Sequence, residues 1–312
     1  MIDFSDCTIK YTKIYDGLNG KKLAIFYKDE LYMLKFPKDN HITGGYASST
    51  INEHISSKIF KSLGFETQDT ILGYYDDKVV VACKDFEIGR NRLFNFGKIK
   101  NSVLSVSGSS FSDTDLDETL KIIDEQKLID KDRLKEFYWD MFIADTFIAN
   151  FNRHNENWGI LVNEQNDTCK IAPIYDCGSS LYPKLNNQDI QKYLSHKGSF
   201  NDLILNQTTS AVTRFGKKTN PQNFLFSNLN NDILMSLKKI NLNINLEKIN
   251  RIIDEIEIIS SDRKEFYKKV IKERKEIILD VAYEKYLSNA KNIYDDEKSL
   301  FISKEIMKKS KI

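Results

Sequence analysis

The stretch Asp145-Thr146-Phe147-Ile148-Ala149-Asn150-Phe151-Asn152-Arg153-His154-Asn155-Glu156-Asn157-Trp158-Gly159 decides the reading of this chain. It follows a helical pattern, Asp132 to Ala149, that sets Phe137, Met141, Ala144 and Ile148 on one face, and it runs into the apolar segment Trp158 to Val162. Polar side chains crowd Asn150 to Asn157 at this junction of helix and strand. Crowding of that kind at the ends of rigid elements is the pattern of a site. The competing bland reading is that the asparagines cap and turn and that His154 is a structural hydrogen-bonding residue.

Asp176 stands 19 residues beyond Asn157, in Ile174-Tyr175-Asp176-Cys177-Gly178-Ser179-Ser180, where an apolar strand ends at an acid and small residues. A carboxylate and an amide oxygen are donors that Mg²⁺ accepts beside phosphate and water. A kinase catalytic loop places its base and, about five residues later, a metal-binding Asn. Positions 152 and 157 have that spacing, and Asp176 stands as the Asp of an Asp-Phe-Gly motif does, with Cys177 in place of Phe.

Toward the N-terminus, Lys22 to Tyr27 and Glu30 to Phe36 are β-prone runs around the tight turn Lys28-Asp29. Lys35 lies among Tyr, Met, Leu and Phe. The segment Ser49 to Leu63 has helical spacing through Ile51, Ile55, Ile59, Phe60 and Leu63. Glu53 lies early in that helix, where a phosphate-holding strand lysine finds its glutamate partner in kinases. The alternative is a solvated lysine and a solvated glutamate. Before them, Gly17, Asn19, Gly20 and Lys21 form a glycine-bearing turn that can bring backbone N–H groups to phosphate; an ordinary turn reads the same way. Thr70 to Tyr75 and Val79 to Cys83 predict a second strand pair. Asn91 to Asp117 reads as a polar connector. From Leu116 helices dominate, including Leu246 to Ile259 and Asp262 to Asn289. Lys184 to Asn223 carries no interpretable motif.

The 312 residues suffice for one large domain or two modest lobes. Lys+Arg (46) and Asp+Glu (45) nearly cancel, so no global charge recruits nucleic acid or an anionic membrane. No apolar run is long enough to span a bilayer, and Met1 to Lys10 lacks the apolar stretch of a signal peptide. Cys7, Cys83, Cys169 and Cys177 form no C-x-x-C pair, which argues against zinc and a disulfide framework. A cytoplasmic setting is expected, with export lacking a signal peptide as the alternative.

Taken together, Gly17 to Lys21, Tyr32 to Pro37, Val80 to Phe86, Trp139 to Asp145, Asn150 to Gly159 and Ile171 to Gly178 resemble the HipA-like kinase family, and the likeness runs from about residue 3 to 285. The resemblance implies an α+β, bilobal protein-kinase-like fold, with a β-rich N-lobe in residues 1–86 and a mostly helical C-lobe in 87–312. It implies ATP and Mg²⁺ as cofactors and a protein substrate with a Ser or Thr acceptor. Gly17, Asn19, Gly20, Lys21, Lys35 and Glu53 would serve the nucleotide phosphates. Val81 to Asp85 would be the hinge, with Val81 and Cys83 at the adenine. Asn157 and Asp176 would hold metal, and His154 would brace the loop. HipA toxins carry an extra N-terminal domain and bind an antitoxin; this shorter chain is expected to have no such partner.

One position departs from the family. Its motif reads Asn-x-Asp-Arg-His at this place, and here Asn152 replaces the Asp. A neutral amide hydrogen-bonds but does not take the hydroxyl proton, and general-base assistance is worth about 10²–10⁴-fold. The intact remainder favours an introduced Asp→Asn change in a kinase; the alternative is a natural pseudokinase acting as a nucleotide-binding scaffold or regulator. A small-molecule or lipid kinase is a weaker reading, since phosphoinositide kinases share this style of loop. Ser102, Ser105, Ser107, Ser109, Ser110 and Ser112, with Ser48 and Ser49, are autophosphorylation candidates, or a solvated linker.

Overall fold

The computed structural model describes residues 1–15, 21–37, 39–40, 45–46, 48–104, 114–227 and 230–288, with 39–40 and 45–46 described by backbone alone. Gly17, Asn19, Gly20 and Ser105 to Ser112 lie outside the described residues.

The first part of the chain forms β1 (Ile2–Asp3), β2 (Thr8–Ile9), β3 (Lys22–Tyr27), β4 (Glu30–Lys35), β5 (Asp39–Asn40), β6 (Gly45–Tyr46), α1 (Ser49–Ser62), β7 (Thr70–Tyr75) and β8 (Lys78–Lys84). Six of these strands make one sheet in the order β1-β7-β8-β4-β3-β2. Lys28 and Asp29 both have positive φ (50° and 61°). That is the backbone of a two-residue hairpin turn whose twist matches its strands. Strand alternation then sorts the side chains. Tyr32, Leu34, Val80 and Ala82 join Phe4 and Ile25 in a buried cluster on one face. Met33 and Lys35, opposite Cys83 and Val81, point to the other.

The second part contains β9 (Asn91–Asn95), α2 (Phe96–Leu104), α3 (Leu116–Glu125), α4 (Lys131–Phe147), β10 (Gly159–Asn163), β11 (Thr168–Ile171), α5 (Asn187–Ser195), α6 (Lys197–Leu205), β12 (Thr213–Arg214), β13 (Lys217–Lys218), α7 (Pro221–Ser227), α8 (Asn231–Asn243), α9 (Leu246–Asp254) and α10 (Ser261–Arg274). Asp130 caps α4, its carboxylate accepting from Arg133 N at 2.9 Å. The fold is the expected α+β, bilobal, kinase-like one: a sheet-based lobe followed by a helical lobe. Ile55, Ile59, Phe60 and Leu63 of α1 share one buried cluster with Phe147, Ile253 and Tyr267 of the helical lobe, so α1 is packed between the two.

The stretch expected as a polar connector is partly ordered as β9 and α2. β9 pairs with β10 along its whole length, and Phe96 stacks on Trp158 at 4.0 Å between ring centroids. A short strand with a polar outer face becomes stable only beside a partner that is distant in sequence. Lys184 to Asn223 includes α5 and α6, whose Ile190, Phe200, Leu203 and Ile204 are buried. No helix among the described residues is long and apolar enough to cross a membrane.

Candidate active site

The loop that follows α4 is built around Arg153. Ala149 turns the chain with φ 55°, and Asn150 returns its side-chain amide to Asp145 Oδ1 at 2.7 Å. Arg153 then meets Asp145 with two bonds, Nε to Oδ2 at 2.9 Å and Nη2 to Oδ1 at 3.1 Å. Its Nη1 donates to the carbonyls of Asn157 (2.8 Å) and Tyr175 (2.5 Å), and Nη2 to Cys177 Sγ (3.2 Å). One planar guanidinium thereby ties the loop to the strand end that carries Asp176. Burial raises the Asp145 carboxyl even though Arg153 opposes the shift. Burial also disfavours the charge on Arg153, yet Asp145 drives that group above its ordinary value.

Within the loop, Asn157 Nδ2 donates to Asn152 O at 2.9 Å and Asn157 N donates to His154 O at 2.9 Å. The Asn157 side-chain oxygen and the Asn152 side chain accept and donate nothing else among the described residues. Glu156 N donates to His154 Nδ1 at 3.3 Å, which assigns the ring proton to Nε2. Burial lowers the His154 pKa against the pull of Glu156, so the ring is neutral near pH 7.

Lys35 ends β4 on the face opposite Tyr32 and Leu34. Its Nζ lies 3.2 Å from Glu53 Oε2 and 2.8 Å from Asp176 Oδ1. Burial opposes the charges on Lys35 and Asp176, but their mutual attraction prevails: Asp176 is held below the usual carboxylate range, chiefly by Lys35, and Lys35 is held well above its ordinary value by Asp176 and Glu53. Asp176 adopts φ 54°. Gly178 is needed two residues later, since a Cβ there would stand 2.9 Å from Ser49 O and 3.1 Å from Glu53 Oε2. Thus Lys35, Glu53 and Asp176 converge, and Arg153 links the Asp176 strand to the Asn152–Asn157 loop.

Three expected placements change. Lys21 is not part of this convergence: its amine lies over Phe36 (4.8 Å) and Tyr75 (5.8 Å), whose rings belong to the opposite face of the sheet. Lys22, directly opposite Lys35, adds its positive charge near Asp176 instead. Val81 and Cys83 lie inside β8, with Val81 opposite Lys35 and Leu72, and Cys83 opposite Met33 and Thr70. The backbone of an inner strand is taken by its neighbours on both sides, so these two wholly buried residues offer no backbone edge to a base. Lys84 N and Asp85 N are also engaged, by Asp69 O and Leu31 O. The free stretch begins after them, where the Asp85 carboxylate accepts Tyr15 Oη at 2.8 Å and Glu87 N at 2.7 Å. Lastly, Ser48 is buried and its hydroxyl is bound to Arg263, which removes it as an exposed acceptor.

Arg153, Asp145 and Lys22 were not singled out from the sequence. The first two sit inside the loop quoted at the outset, and eight residues of spacing between an acid and an arginine across a helix end was the available signal.

Asp176 and Asn157 fit a magnesium ion that also binds phosphate. Asp176 is part-exposed, with one carboxylate oxygen beyond its bond to Lys35, and Asn157 has its amide oxygen to give. Among the described residues no cluster of three His, Cys, Asp or Glu side chains forms an all-protein metal cage. A cavity of about 280 Å³ beside Phe65, Phe137, Asp140 and Lys239 lies apart from these residues.

Residues 17–261 match the HipA-like C-terminal domain. The chain belongs to this family. The HipA-like chain is 41% identical over 285 residues to the serine/threonine-protein kinase CtkA of Helicobacter pylori, covering 90% of this chain and 87% of that protein. The crystal structure of the H. pylori proinflammatory kinase CtkA superposes with a TM-score of 0.86 at 40% identity, over 92% of this chain and 98% of that one. HipA of Shewanella oneidensis, solved in a toxin–antitoxin complex with HipB and operator DNA, shares the fold, with a TM-score of 0.56 at 14% identity over 89% of this chain and 70% of that one.

Proposed function

We propose that this chain is an ATP- and Mg²⁺-dependent Ser/Thr protein kinase of the HipA-like type, with phosphoryl transfer held back by Asn152. The meeting of Lys35 with Glu53 and Asp176 carries this reading. A lysine held between two carboxylates is fully charged and fixed in place, as a group that grips nucleotide phosphates must be. Asp176 and Asn157 would hold Mg²⁺, which neutralises charge on the transferring phosphate. The stretch after Asp85 would offer the adenine its backbone contacts. The Asn152 amide would hydrogen-bond an acceptor hydroxyl and has no means to take its proton. A Ser or Thr of a protein is the acceptor, in line with the name of the H. pylori relative.

The test compares ATP turnover and phosphate transfer by this chain and by Asn152→Asp, with Mg²⁺ and with EDTA. The Asp form should gain about 10²–10⁴-fold in transfer, and a further Asp176→Ala change should abolish it. If both forms bind ATP and neither transfers phosphate to itself or to a generic acceptor, the second reading stands. That reading, favoured by Asn152 itself, is a pseudokinase that binds nucleotide as a scaffold.

A further inference from the structure

We propose that Tyr267 is a positioning residue: through Asn52 it locks α1 and the segment after Asp176 in the arrangement that lets Lys35 meet Glu53 and Asp176. This inference rests on the nucleotide-binding reading above.

Asn52 immediately precedes Glu53 on α1 and is wholly buried. Both ends of its amide are engaged, and by different parts of the chain. Its Oδ1 accepts the Tyr267 hydroxyl of α10 at 2.6 Å, and its Nδ2 donates to Ser180 O at 2.7 Å. Ser180, also wholly buried, pairs its hydroxyl with Ser56 of α1 and bonds Cys177 O at 2.8 Å. Toward the solvent edge of the same seam, Arg263 of α10 donates to Ser48 Oγ and to Leu185 O, each at 2.9 Å. Three elements distant in sequence are therefore joined by polar groups, and Arg263 Nη1 also lies 3.4 Å from the Tyr267 hydroxyl.

A second observation agrees. Asp176, Leu181 and Tyr182 all have φ near +54° (54°, 53° and 55°). Such backbone is costly for residues other than glycine and persists where its surroundings over-determine it. The Asn52–Ser180 bond falls in the middle of this strained run. Removing the Tyr267 hydroxyl leaves Asn52 Oδ1 bare in the core. The amide does not recover by turning, since that would set its oxygen against Ser180 O; the helix turn that carries Glu53, or the Ser180 segment, shifts instead. The Lys35 amine loses one carboxylate and stays on Asp176, which blocks the group that would bind metal. ATP with Mg²⁺ feels this loss; adenosine, which has no phosphate, does not.

The experiment is calorimetric titration of the full chain with Mg·ATP and, separately, with adenosine, together with melting curves. Tyr267→Phe should weaken Mg·ATP about tenfold and leave adenosine within about twofold. In a Lys35→Met background the same change should have no further effect on Mg·ATP, because both act through one amine. If Tyr267→Phe does not fold, Arg263→Gln, at the accessible end of the seam, should weaken Mg·ATP about threefold with the same indifference to adenosine. Unchanged Mg·ATP affinity in a folded variant, or equal weakening of both ligands, overturns the positioning role while leaving the nucleotide reading intact. A parent chain that binds neither ligand overturns the nucleotide reading and this inference with it.

Discussion

Two ion-paired clusters lie on either side of the Asp176 segment, and they are built for opposite ends. Arg153 and Asp145 are 5% and 6% exposed and joined by two bonds, and the remaining Arg153 donors go to Asn157 O, Tyr175 O and Cys177 Sγ. Nothing is left over for a ligand. Lys35 and Glu53 are comparably buried at 13% and 4%, but Asp176 is 30% exposed. A closed buried pair gives little net stability compared with apolar packing, and serves instead to specify one shape. The open cluster leaves one carboxylate oxygen of Asp176 within reach of solvent. The first holds the loop; the second is what the loop is held against.

The comparison is most exposed to Arg153→Met. It leaves the Asp145 carboxylate buried without a counter-charge, and urea denaturation should show a loss of about 3–5 kcal/mol. Adding Asp145→Leu should recover much of it. A loss below about 1 kcal/mol would mean that the cluster is not closed in solution.

Acid separates His54 on α1 from Asp176. His54, next to Glu53, is buried with Nδ1 2.9 Å from Thr70 Oγ1, and burial, aided by Lys58, pushes its pKa down from 6.5 to about 4. The unfolded chain takes up this proton below pH 6.5, whereas the folded chain resists until about pH 4. Stability present above pH 6.5 is therefore lost as pH falls to 4, by up to about 3 kcal/mol. Asp176 stays charged throughout that window. Its pKa is depressed by Lys35 from 3.8 to about 2, so its contribution fades only between those values. Denaturation at pH 7, 5.5 and 4.5 should show a decline that His54→Gln flattens. A decline of the same slope in His54→Gln would assign it to other groups.

The smallest effect concerns the open cluster alone. Asp176→Asn should lower the unfolding free energy by no more than about 2.5 kcal/mol, the size of a shift from 3.8 to about 2, and by less to the extent that the carboxylate is open to solvent. It should weaken ATP about tenfold with Mg²⁺ present and far less in EDTA. A larger stability loss would make Asp176 structural, and the contrast with Arg153 would fail.

Much of this arrangement was legible before the fold was seen. The helix with Glu53, the strand with Lys35 and the Asn152–Asn157 spacing are local patterns, set by helical period, strand alternation and loop length. The connector that proved to contain β9 and α2 was not legible, because its apolar residues are too few to declare an element without Trp158 and β10 beside them. The face taken by Lys21 and the engaged backbone of Val81 and Cys83 depend on strand register, and a shift of one residue turns every side chain to the other face.

The sequence by itself determined the family, the order of the lobes and the presence of a lysine, a glutamate, an amide-rich loop and an aspartate in kinase order, and it alone shows that position 152 carries an amide. Only the tertiary structure decided which of those groups meet. Lys35 and Asp176 are 141 residues apart, and Tyr267 and Asn52 are 215 apart. Contacts of that range are fixed by sheet register and by the packing of α1 between the lobes. Those are properties of the whole folded chain, so no local stretch encodes them.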